Sequence, residues 1–344
     1  MTETVAVVLA GGRGTRLYPA STATTPKQFR TFGGERSDGA RSSSDASDGG
    51  DESLLARTVA RADAVADAVY VLTRPAYADR IGDHAPDAEV LVEPEPRDTG
   101  PAMLYAAREL AGRHDDPVLV NLPSDHHMGD GYAAALSRAA GVARDTGGLV
   151  TLGVTPTRAA TGYGYIEPGE RHGDYAAVAS FTEKPDAETA ARFREQGYLW
   201  NAGVFAWTPA ALFAAARDAG LGEFLDALDR DPAAAFAGVG SVSIDYAVME
   251  SAGDAFVLPA DFAWDDLGAW DAFERVLDGD GAGNVSLGET LAVDCENCVL
   301  AAGADDHVAA VGVSDLAVAT YDGRTVVVPK GEAERVRDVV DALD

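Results

Sequence analysis

The sequence predicts an α/β protein with a Rossmann-like, mostly parallel sheet, followed by a small β-rich C-terminal domain. In residues 1–200, short runs rich in Val and Leu alternate with Ala-rich stretches, and strands separated by helices form βαβ units with a parallel sheet. At 344 residues, 47% of them hydrophobic, the chain is long enough to bury the cores of about two domains. After residue 279 the sequence changes to short β-branched pieces separated by polar turns, which predicts the second domain.

The elements of the first domain follow in order. Strands are predicted at residues 5–10, 68–73, 89–93, 118–123 and 148–154, and helices at 54–66, 101–112 and 132–145. Residues 162–207 are rich in Gly and aromatics and are interpreted as strands of a subdomain that covers the sheet. Helices at 209–219 and 245–251 and a loop at 259–268 follow. Ligands of parallel sheets bind beyond the carboxyl ends of the strands, so the chemistry is expected in the loops there.

We place the first domain at residues 1–278 and the C-terminal domain at 283–344. The latter has predicted strands at 291–293, 298–301, 308–313, 316–320 and 325–328 and a closing helix at 332–343; a left-handed β-helix is one form left open for it. Residues 34–51 are mostly Ser, Asp, Gly, Glu and Arg. So few apolar side chains cannot bury surface, which predicts a flexible acidic insertion.

The charge excludes several partners. A net charge of -29 repels nucleic acid and anionic membranes, so neither is expected as a partner. Lysine occurs only as Lys27, Lys184 and Lys330, and arginine supplies the other 24 of the 27 cations. An acidic, lysine-poor surface is typical of halophilic proteins, in which molar salt screens self-repulsion. With no apolar run long enough for a membrane span, a cytoplasmic location is expected.

Cys295 and Cys298 form a lone C-x-x-C. A structural zinc site needs two further Cys or His ligands at suitable spacing, and the neighbouring sequence offers only the distant His307. We therefore expect both cysteines to be small buried hydrophobes.

A glycine-rich loop, LAGGRGTRL at residues 9–17, follows the first predicted strand. Glycines let backbone N–H groups approach phosphate oxygens, and arginines add charged donors. The loop lacks the last glycine of G-x-G-x-x-G, because Leu17 stands there, and it lacks the Gly-Lys-Ser/Thr of a Walker A loop. Taken alone, it leaves open a phosphate cradle or a tight strand-to-helix turn.

PKQF at residues 26–29 follows this loop, and together the two segments resemble sugar-nucleotide pyrophosphorylases, in particular the mannose-1-phosphate guanylyltransferases. Further segments are similar to that family in the same order across nearly the whole chain. They are EPEPRDTGPA (93–102), PSDH (123–126), GYGYI (162–166), FTEKPD (181–186), WNAGVF (200–205), SIDYAVME (243–250) and WDDLGAW (264–270).

The resemblance implies that GTP and mannose 1-phosphate give GDP-mannose and pyrophosphate, by in-line attack on the α-phosphorus without a covalent enzyme intermediate. It places a divalent metal, Mg²⁺ or another, on Asp125 and Asp266. Mg²⁺ takes one or two carboxylates together with phosphate oxygens and water. Without the resemblance, two alternatives stay open: Asp125 as the cap of the next helix, and Asp265 and Asp266 as parts of an acidic surface.

The resemblance also implies the roles of other residues. Arg16 and Lys27 are the expected catalytic groups, which hold the triphosphate and stabilise the departing pyrophosphate. The expected nucleotide-binding residues are Gly11, Gly12, Gly14, Thr15, Arg97, Asp98, Thr99, Pro101 and Asp125. The expected sugar-phosphate-binding residues are Gly164, Glu183, Lys184 and Asn201.

Two positions depart from the family pattern: Asp98 stands where Asn is usual and Gly100 where Ala is usual. Both lie in the loop expected to read the base, so uridylyl or thymidylyl transfer to glucose 1-phosphate is the nearest alternative. A non-catalytic paralogue is disfavoured because the charged positions are intact. The C-terminal region is too short for the isomerase domain of longer relatives, which predicts a monofunctional enzyme. A homodimer is left open.

Overall fold

A computed structural model describes residues 3–32 and 52–343, so the acidic insertion predicted at 34–51 lies outside the described residues. The chain forms two compact units. The first comprises Met1–Gly11, Thr58–Pro123 and Gly129–Trp264, and the second comprises Gly12–Arg57, Ser124–Met128 and Asp265–Asp344. The domain boundary near 278–283 stays a prediction about the linear chain.

The strands and helices have the following bounds. The strands are β1 Thr4–Leu9, β2 Ala68–Thr73, β3 Glu89–Val92, β4 Val118–Pro123, β5 His127–Met128, β6 Leu149–Val154, β7 Gly164–His172, β8 Tyr175–Glu183, β9 Leu199–Trp207, β10 Ala255–Ala260, β11 Trp264–Asp265, β12 Val285–Leu287, β13 Thr290–Val293, β14 Val299–Ala302, β15 Val308–Val311, β16 Leu316–Tyr321 and β17 Arg324–Pro329. The α-helices are α1 Leu54–Asp63, α2 Ala78–His84, α3 Thr99–Ala111, α4 Tyr132–Thr146, α5 Ala187–Glu195, α6 Pro209–Asp218, α7 Gly222–Leu228, α8 Pro232–Gly238, α9 Phe273–Val276 and α10 Val336–Asp341. None of the helices in the described part of the chain is long and apolar enough to cross a membrane.

The first unit is built on a nine-stranded sheet of order β3-β2-β1-β4-β9-β6-β10-β8-β7. β1 pairs in parallel with β2 and β4, and β6 with β10. β9 runs antiparallel between β4 and β6, and the β7–β8 hairpin is antiparallel at the edge. The predicted α/β fold is confirmed, but the prediction that residues 162–207 cover the sheet is wrong, because β7, β8 and β9 are strands within it.

Helices pack against the sheet, and the sequence predicted some of them with shifted bounds and missed others. β1, β4 and β6 are buried along almost their whole length, as uninterrupted apolar runs require. α3 begins at Thr99, two residues before the predicted start, because Asp98 caps it. α1 ends at Asp63 and not at 66. The sequence prediction missed the short helices α2, α5, α7 and α8, as well as β10, whose last two residues fall in the loop predicted from 259.

The second unit contains the C-terminal strands. β12, β14 and β16 pair in parallel, as do β13 and β15, and β17 closes the first of these sheets antiparallel to β16. Each C-terminal strand predicted from the sequence is present, and β12 was missed. The closing helix is shorter than 332–343, since a 3-10 helix at Lys330–Arg335 precedes α10.

Two apolar clusters fill the second unit. One joins Leu17, Phe32 and Trp270 to the C-terminal strands and to Val336 of α10. The other contains Cys295 and Cys298, which are 5% and 0% exposed and unbridged. The expectation that these cysteines are buried hydrophobes is confirmed.

Candidate functional site

The glycine-rich loop and the 26–29 segment pack together in the second unit. Gly14 adopts a left-handed conformation with φ 61°, and a Cβ there would lie 2.6 Å from Cβ of Lys27. A larger residue would therefore be strained and would displace Lys27. Gln28 Nε2 donates to the carbonyl of Gly12 at 3.2 Å. The two predicted phosphate-binding segments thus form one local structure.

Lys27 lies between the two aspartates predicted to hold a metal. Its side chain is almost fully buried, with 4% of the residue exposed. Its Nζ lies 3.0 Å from Oδ2 of Asp125 and donates a short hydrogen bond to the backbone carbonyl of Asp266. The structure therefore brings together Asp125 and Asp266, which are far apart in sequence, around one ammonium group.

Arg16 lies on the other side of Asp266. Its NH2 is 3.8 Å from Oδ2 of Asp266, and its NH1 donates to both carboxylate oxygens of Glu334, at 3.0 and 2.8 Å. A Cβ on Gly268 would lie 2.6 Å from Asp266 Oδ2 and 3.1 Å from Arg16 NH2. A larger residue there would shift the carboxylate and the guanidinium.

The neighbouring Asp265 has a structural role. It is 3% exposed, Arg275 Nε donates to it at 2.6 Å, and it accepts from the backbone N–H of Leu267 at 2.8 Å. Leu267 has a positive φ of 46°, so Asp265 fixes the strained turn that presents Asp266. The alternative interpretation of this pair as part of an acidic surface is therefore wrong for Asp265, which is buried in an ion pair, and the assignment of Asp266 to a metal stays a prediction.

These residues fit a metal that arrives with a phosphate ligand. Within residues 3–32 and 52–343 no group of three or more His, Cys, Asp or Glu side chains is placed to hold a metal. Two carboxylates suffice for Mg²⁺ when phosphate oxygens and water complete its coordination. Burial lowers the pKa of the adjacent His126, which keeps that imidazole neutral beside Lys27.

A second group of predicted residues lies in the first unit, at the ends of β7 and β8. Lys184 Nζ lies 2.6 Å from Oε1 of Glu183. The Glu183 side chain is 9% exposed, whereas that of Lys184 is 59% exposed. A Cβ on Gly164 would lie 2.4 Å from Glu183 Oε2, so a larger residue would displace this carboxylate. Burial opposes the charge of Lys184, but the hydrogen bond and charge of Glu183 leave its pKa raised.

Asn201 donates a hydrogen bond to Asp245, a residue to which the sequence prediction gave no role. Its Nδ2 donates to Asp245 Oδ1 at 2.8 Å, and its Oδ1 accepts from Thr151 Oγ1 at 2.9 Å and from the N–H of Gly203 at 3.1 Å. Burial, with the charge of Glu183, raises the pKa of Asp245 to about 6. Asn201 therefore orients Asp245, and its predicted direct contact with the sugar stays a prediction. The sequence feature that could have identified Asp245 is its position in the motif SIDYAVME, residues 243–250.

The loop at 97–101 explains both departures from the family pattern. Asp98 has φ 69° and its Oδ1 accepts from the N–H of Thr99 at 2.7 Å. Asp and Asn both tolerate positive φ and both cap helices, so Asp98 keeps a role that Asn would serve. A Cβ on Gly100 would lie 2.7 Å from the carbonyl of Val242, and a backbone hydrogen bond of 3.0 Å joins these two residues. Glycine allows this close approach.

Glu93 is a further candidate missed by the sequence prediction. It is 6% exposed, and its Oε2 has no hydrogen-bond partner among the described residues. Burial raises its pKa to about 7; Arg74 lowers the pKa and Asp98 raises it. A Cβ on Gly11 would lie 3.5 Å from Glu93 Oε1, so glycine keeps the approach to this carboxyl open. A buried, unpaired carboxyl of this kind is typical of a ligand-binding position.

Comparison with known proteins extends these observations. Residues 5–281 match the family model described as nucleotidyl transferase, and residues 288–343 match that of the mannose-phosphate isomerase/GMP-like β-helix domain. Two curated relatives match along the chain. A protein named mannose-1-phosphate guanylyltransferase from Sinorhizobium fredii is 36% identical over 98% of this chain and 67% of its own length. The xanthan biosynthesis protein XanB of Xanthomonas campestris is 35% identical over 100% of this chain and 74% of its own length.

A solved structure is also similar. It is described as a mannose-1-phosphate geranyltransferase from Thermus thermophilus, has 36% sequence identity, and superposes with a TM-score of 0.88 over 99% of both chains. The similarity thus includes both the sheet and the C-terminal β-helix.

Proposed function

The chain belongs to the nucleotidyl transferase family, and on that premise we propose that it transfers a guanylyl group from GTP to mannose 1-phosphate, giving GDP-mannose and pyrophosphate. The family membership predicted from the motifs is confirmed by relatives that match 98% of this chain. Mannose 1-phosphate and GTP come from the names of those relatives and from the chemistry of the residues described above.

The observation that carries the proposal is the burial of Lys27 between Asp125 and Asp266, with Arg16 beside them. A buried ammonium is costly unless it is paired, and this chain otherwise avoids lysine. Lys27 places positive charge beside the carboxylate of Asp125, and Arg16 places it near that of Asp266, an arrangement that suits a metal-bound triphosphate. We therefore assign triphosphate binding to this cluster.

The reaction needs charge stabilisation and no covalent nucleophile. An oxygen of the sugar phosphate forms a bond to the α-phosphorus, while the bond from that phosphorus to the β-phosphate oxygen breaks and its electron pair leaves with pyrophosphate. Lys27 and Arg16 stabilise the negative charge on the leaving group. A divalent metal held by Asp125 and Asp266, Mg²⁺ in this proposal, supplies additional positive charge to the phosphate oxygens.

Sugar binding is assigned to residues of the first unit. Glu183 and Asp245 offer carboxylate oxygens that accept from sugar hydroxyls, and Lys184 offers a cation for the phosphate. The small residue Gly164 leaves space over Glu183. These assignments extend the predicted set by one residue, Asp245.

Base recognition is assigned to Glu93. Guanine presents its N1–H and its exocyclic amine side by side as donors, and an ionised carboxylate accepts from both. Uracil and thymine present one donor between two acceptors, which a carboxylate matches less well. The sequence suggested Asp98 for this role, but one of its oxygens caps α3, so Glu93 is the better acceptor.

We expect GTP with mannose 1-phosphate to give the fastest pyrophosphate release in a grid of GTP, ATP, UTP and dTTP against mannose 1-phosphate and glucose 1-phosphate. A preference of at least about tenfold in kcat/KM corresponds to roughly 1.4 kcal/mol of discrimination. The grid is run in low and in molar KCl, because the acidic composition predicts a salt-adapted protein. Fastest turnover with UTP or dTTP and glucose 1-phosphate would replace this proposal with its nearest alternative.

A cytoplasmic location and a homodimer stay predictions.

A pH dependence follows from the raised pKa of Glu93, about 7. Because only the ionised form accepts two hydrogen bonds from guanine, GTP should bind more tightly as pH rises from 6 to 8. Titration calorimetry at these pH values measures the effect, and Glu93→Gln should flatten it. A wild-type affinity that does not change with pH would contradict the assignment.

Ionisation of Glu93 should strengthen GTP binding but lower the stability of the fold. The folded-state pKa of Glu93 lies above the 4.5 that is ordinary for a glutamate, so the folded state binds more protons between pH 4.5 and 7 and stability falls as pH rises through that window. Urea unfolding at pH 5 and pH 7.5 should show a smaller loss for Glu93→Gln than for the wild type. An equal loss would mean that Glu93 is ionised in the folded state throughout the window.

A further inference from the structure

The contact between Arg16 and Glu334 joins the glycine-rich loop to the C-terminal segment within the second unit. NH1 of Arg16 donates to both oxygens of Glu334 at 3.0 and 2.8 Å, across 318 positions of sequence. NH2 of the same guanidinium is directed to Asp266, 3.8 Å away. One edge of the guanidinium is thus anchored while another faces a carboxylate proposed to hold the metal.

The segment that carries Glu334 is itself fixed. It begins at Lys330, the one lysine outside the family motifs, which is ion-paired with Glu274 and donates to Asn297 Oδ1 at 2.6 Å. Ala333, directly before Glu334, and Val336, the first residue of α10, are 2% and 1% exposed. The Glu334 carboxylate therefore projects from a well-anchored 3-10 helix.

Stability does not account for this pair. The Arg16 side chain is 35% exposed and that of Glu334 is 69% exposed, and exposed ion pairs contribute only about 0–1 kcal/mol to folding. A guanidinium aimed at a phosphate, in contrast, gains from being held in place before the substrate arrives, because orientation is then not lost in the reaction.

We infer that Glu334 is a positioning residue of the nucleotidyl transfer reaction: its carboxylate holds NH1 of Arg16 so that NH2 faces Asp266, where the triphosphate is bound. This inference rests on the proposed function, and it gives one residue of the C-terminal 3-10 helix a role in the reaction.

The test compares Glu334→Gln with Glu332→Gln, a matched control in the same turn whose carboxylate pairs with Arg335 at 2.6 Å. We expect Glu334→Gln to lower kcat about fivefold, with the affinity for GTP changed by less than about twofold, while Glu332→Gln behaves as wild type. Molar KCl should reduce the difference between Glu334→Gln and the wild type, because salt screens an exposed pair.

A double-mutant cycle separates positioning from a structural role. In an Arg16→Lys background, Glu334→Gln should cost little more, because its effect acts through the guanidinium. An equal loss in both backgrounds, or a loss that follows lowered unfolding free energy, would overturn the inference. So would tighter GTP binding at unchanged kcat, which would make Glu334 a competitor of the nucleotide.

A further measurement keeps this inference distinct from the proposed function. In arginine-labelled protein, the guanidinium resonance of Arg16, assigned by its loss in Arg16→Lys, should show slowed rotation in the wild type and in Glu332→Gln but not in Glu334→Gln. If the wild type transfers no guanylyl group and the resonance behaves in this way, the proposed function fails while the orientation of Arg16 by Glu334 stands. Equal rotation in all three proteins would show that Glu334 does not hold Arg16.

Discussion

Asp125→Asn and Asp266→Asn should each lower turnover by at least about 100-fold, because each change removes one of the two carboxylates proposed to hold the metal. Asparagine keeps the size of the side chain, so packing should change little. The ammonium of Lys27 lies 3.0 Å from the Asp125 carboxylate, and Lys27 is only 4% exposed. Asp125→Asn therefore also removes a negative charge that compensates this buried cation.

The measurement is a Mg²⁺ titration of pyrophosphate release, in which both variants should need a higher metal concentration. Asp261→Asn is the control, because Asp261 is an exposed aspartate five residues before Asp266. If both variants kept near-normal turnover and an unchanged metal titration, the carboxylates would not be metal ligands.

Lys27→Arg should also lower turnover by about 100-fold or more, although it keeps the charge. The lysine is enclosed by Asp125, the carbonyl of Asp266 and the glycine at position 14, where even one added carbon would come within 2.6 Å of Lys27 Cβ. A planar guanidinium is larger than an ammonium and cannot take the same place without displacing these groups.

Lys27→Gln separates charge from volume, since it is no larger than lysine and removes only the cation. It should lose turnover as severely while unfolding at nearly the wild-type urea concentration. Arg217→Lys, a change in an exposed ion pair with Asp226, serves as the control for cation exchange. Wild-type kinetics in Lys27→Arg would show that this position does not require the compact charge of a lysine.

Local sequence pattern was enough to predict the buried parallel strands. β1, β2, β4 and β6 begin and end within one residue of their predicted bounds, because uninterrupted apolar runs between turn residues have few alternatives. β9 could not be placed in this way. Its sequence is equally compatible with either direction, and its antiparallel position between β4 and β6 depends on pairings with distant segments.

In the candidate site, too, some residues could be predicted from the sequence and others could not. Asp125, Lys27 and Asp266 were predicted because they lie in motifs of a known family, and the structure places them together. Glu93 and Asp245 also lie in such motifs, but the resemblance was not read as giving them a role, and their raised pKa values come from burial by the tertiary fold, which the local sequence does not encode. Glu334 was missed because nothing in the sequence links it to Arg16.

The second unit has a consequence for how the protein is made. Its apolar cluster packs Leu17 and Phe32, which are synthesised first, against Trp270 and Val336, and Trp270 Nε1 donates to the carbonyl of Tyr18 at 2.9 Å. At about 5–20 residues per second, the glycine-rich loop leaves the ribosome tens of seconds before the segment that supports it. A chain cut short anywhere before Trp270 would carry its phosphate-binding residues without the support that orders them, so prematurely terminated products should be inactive and should expose a loop that proteases can cleave.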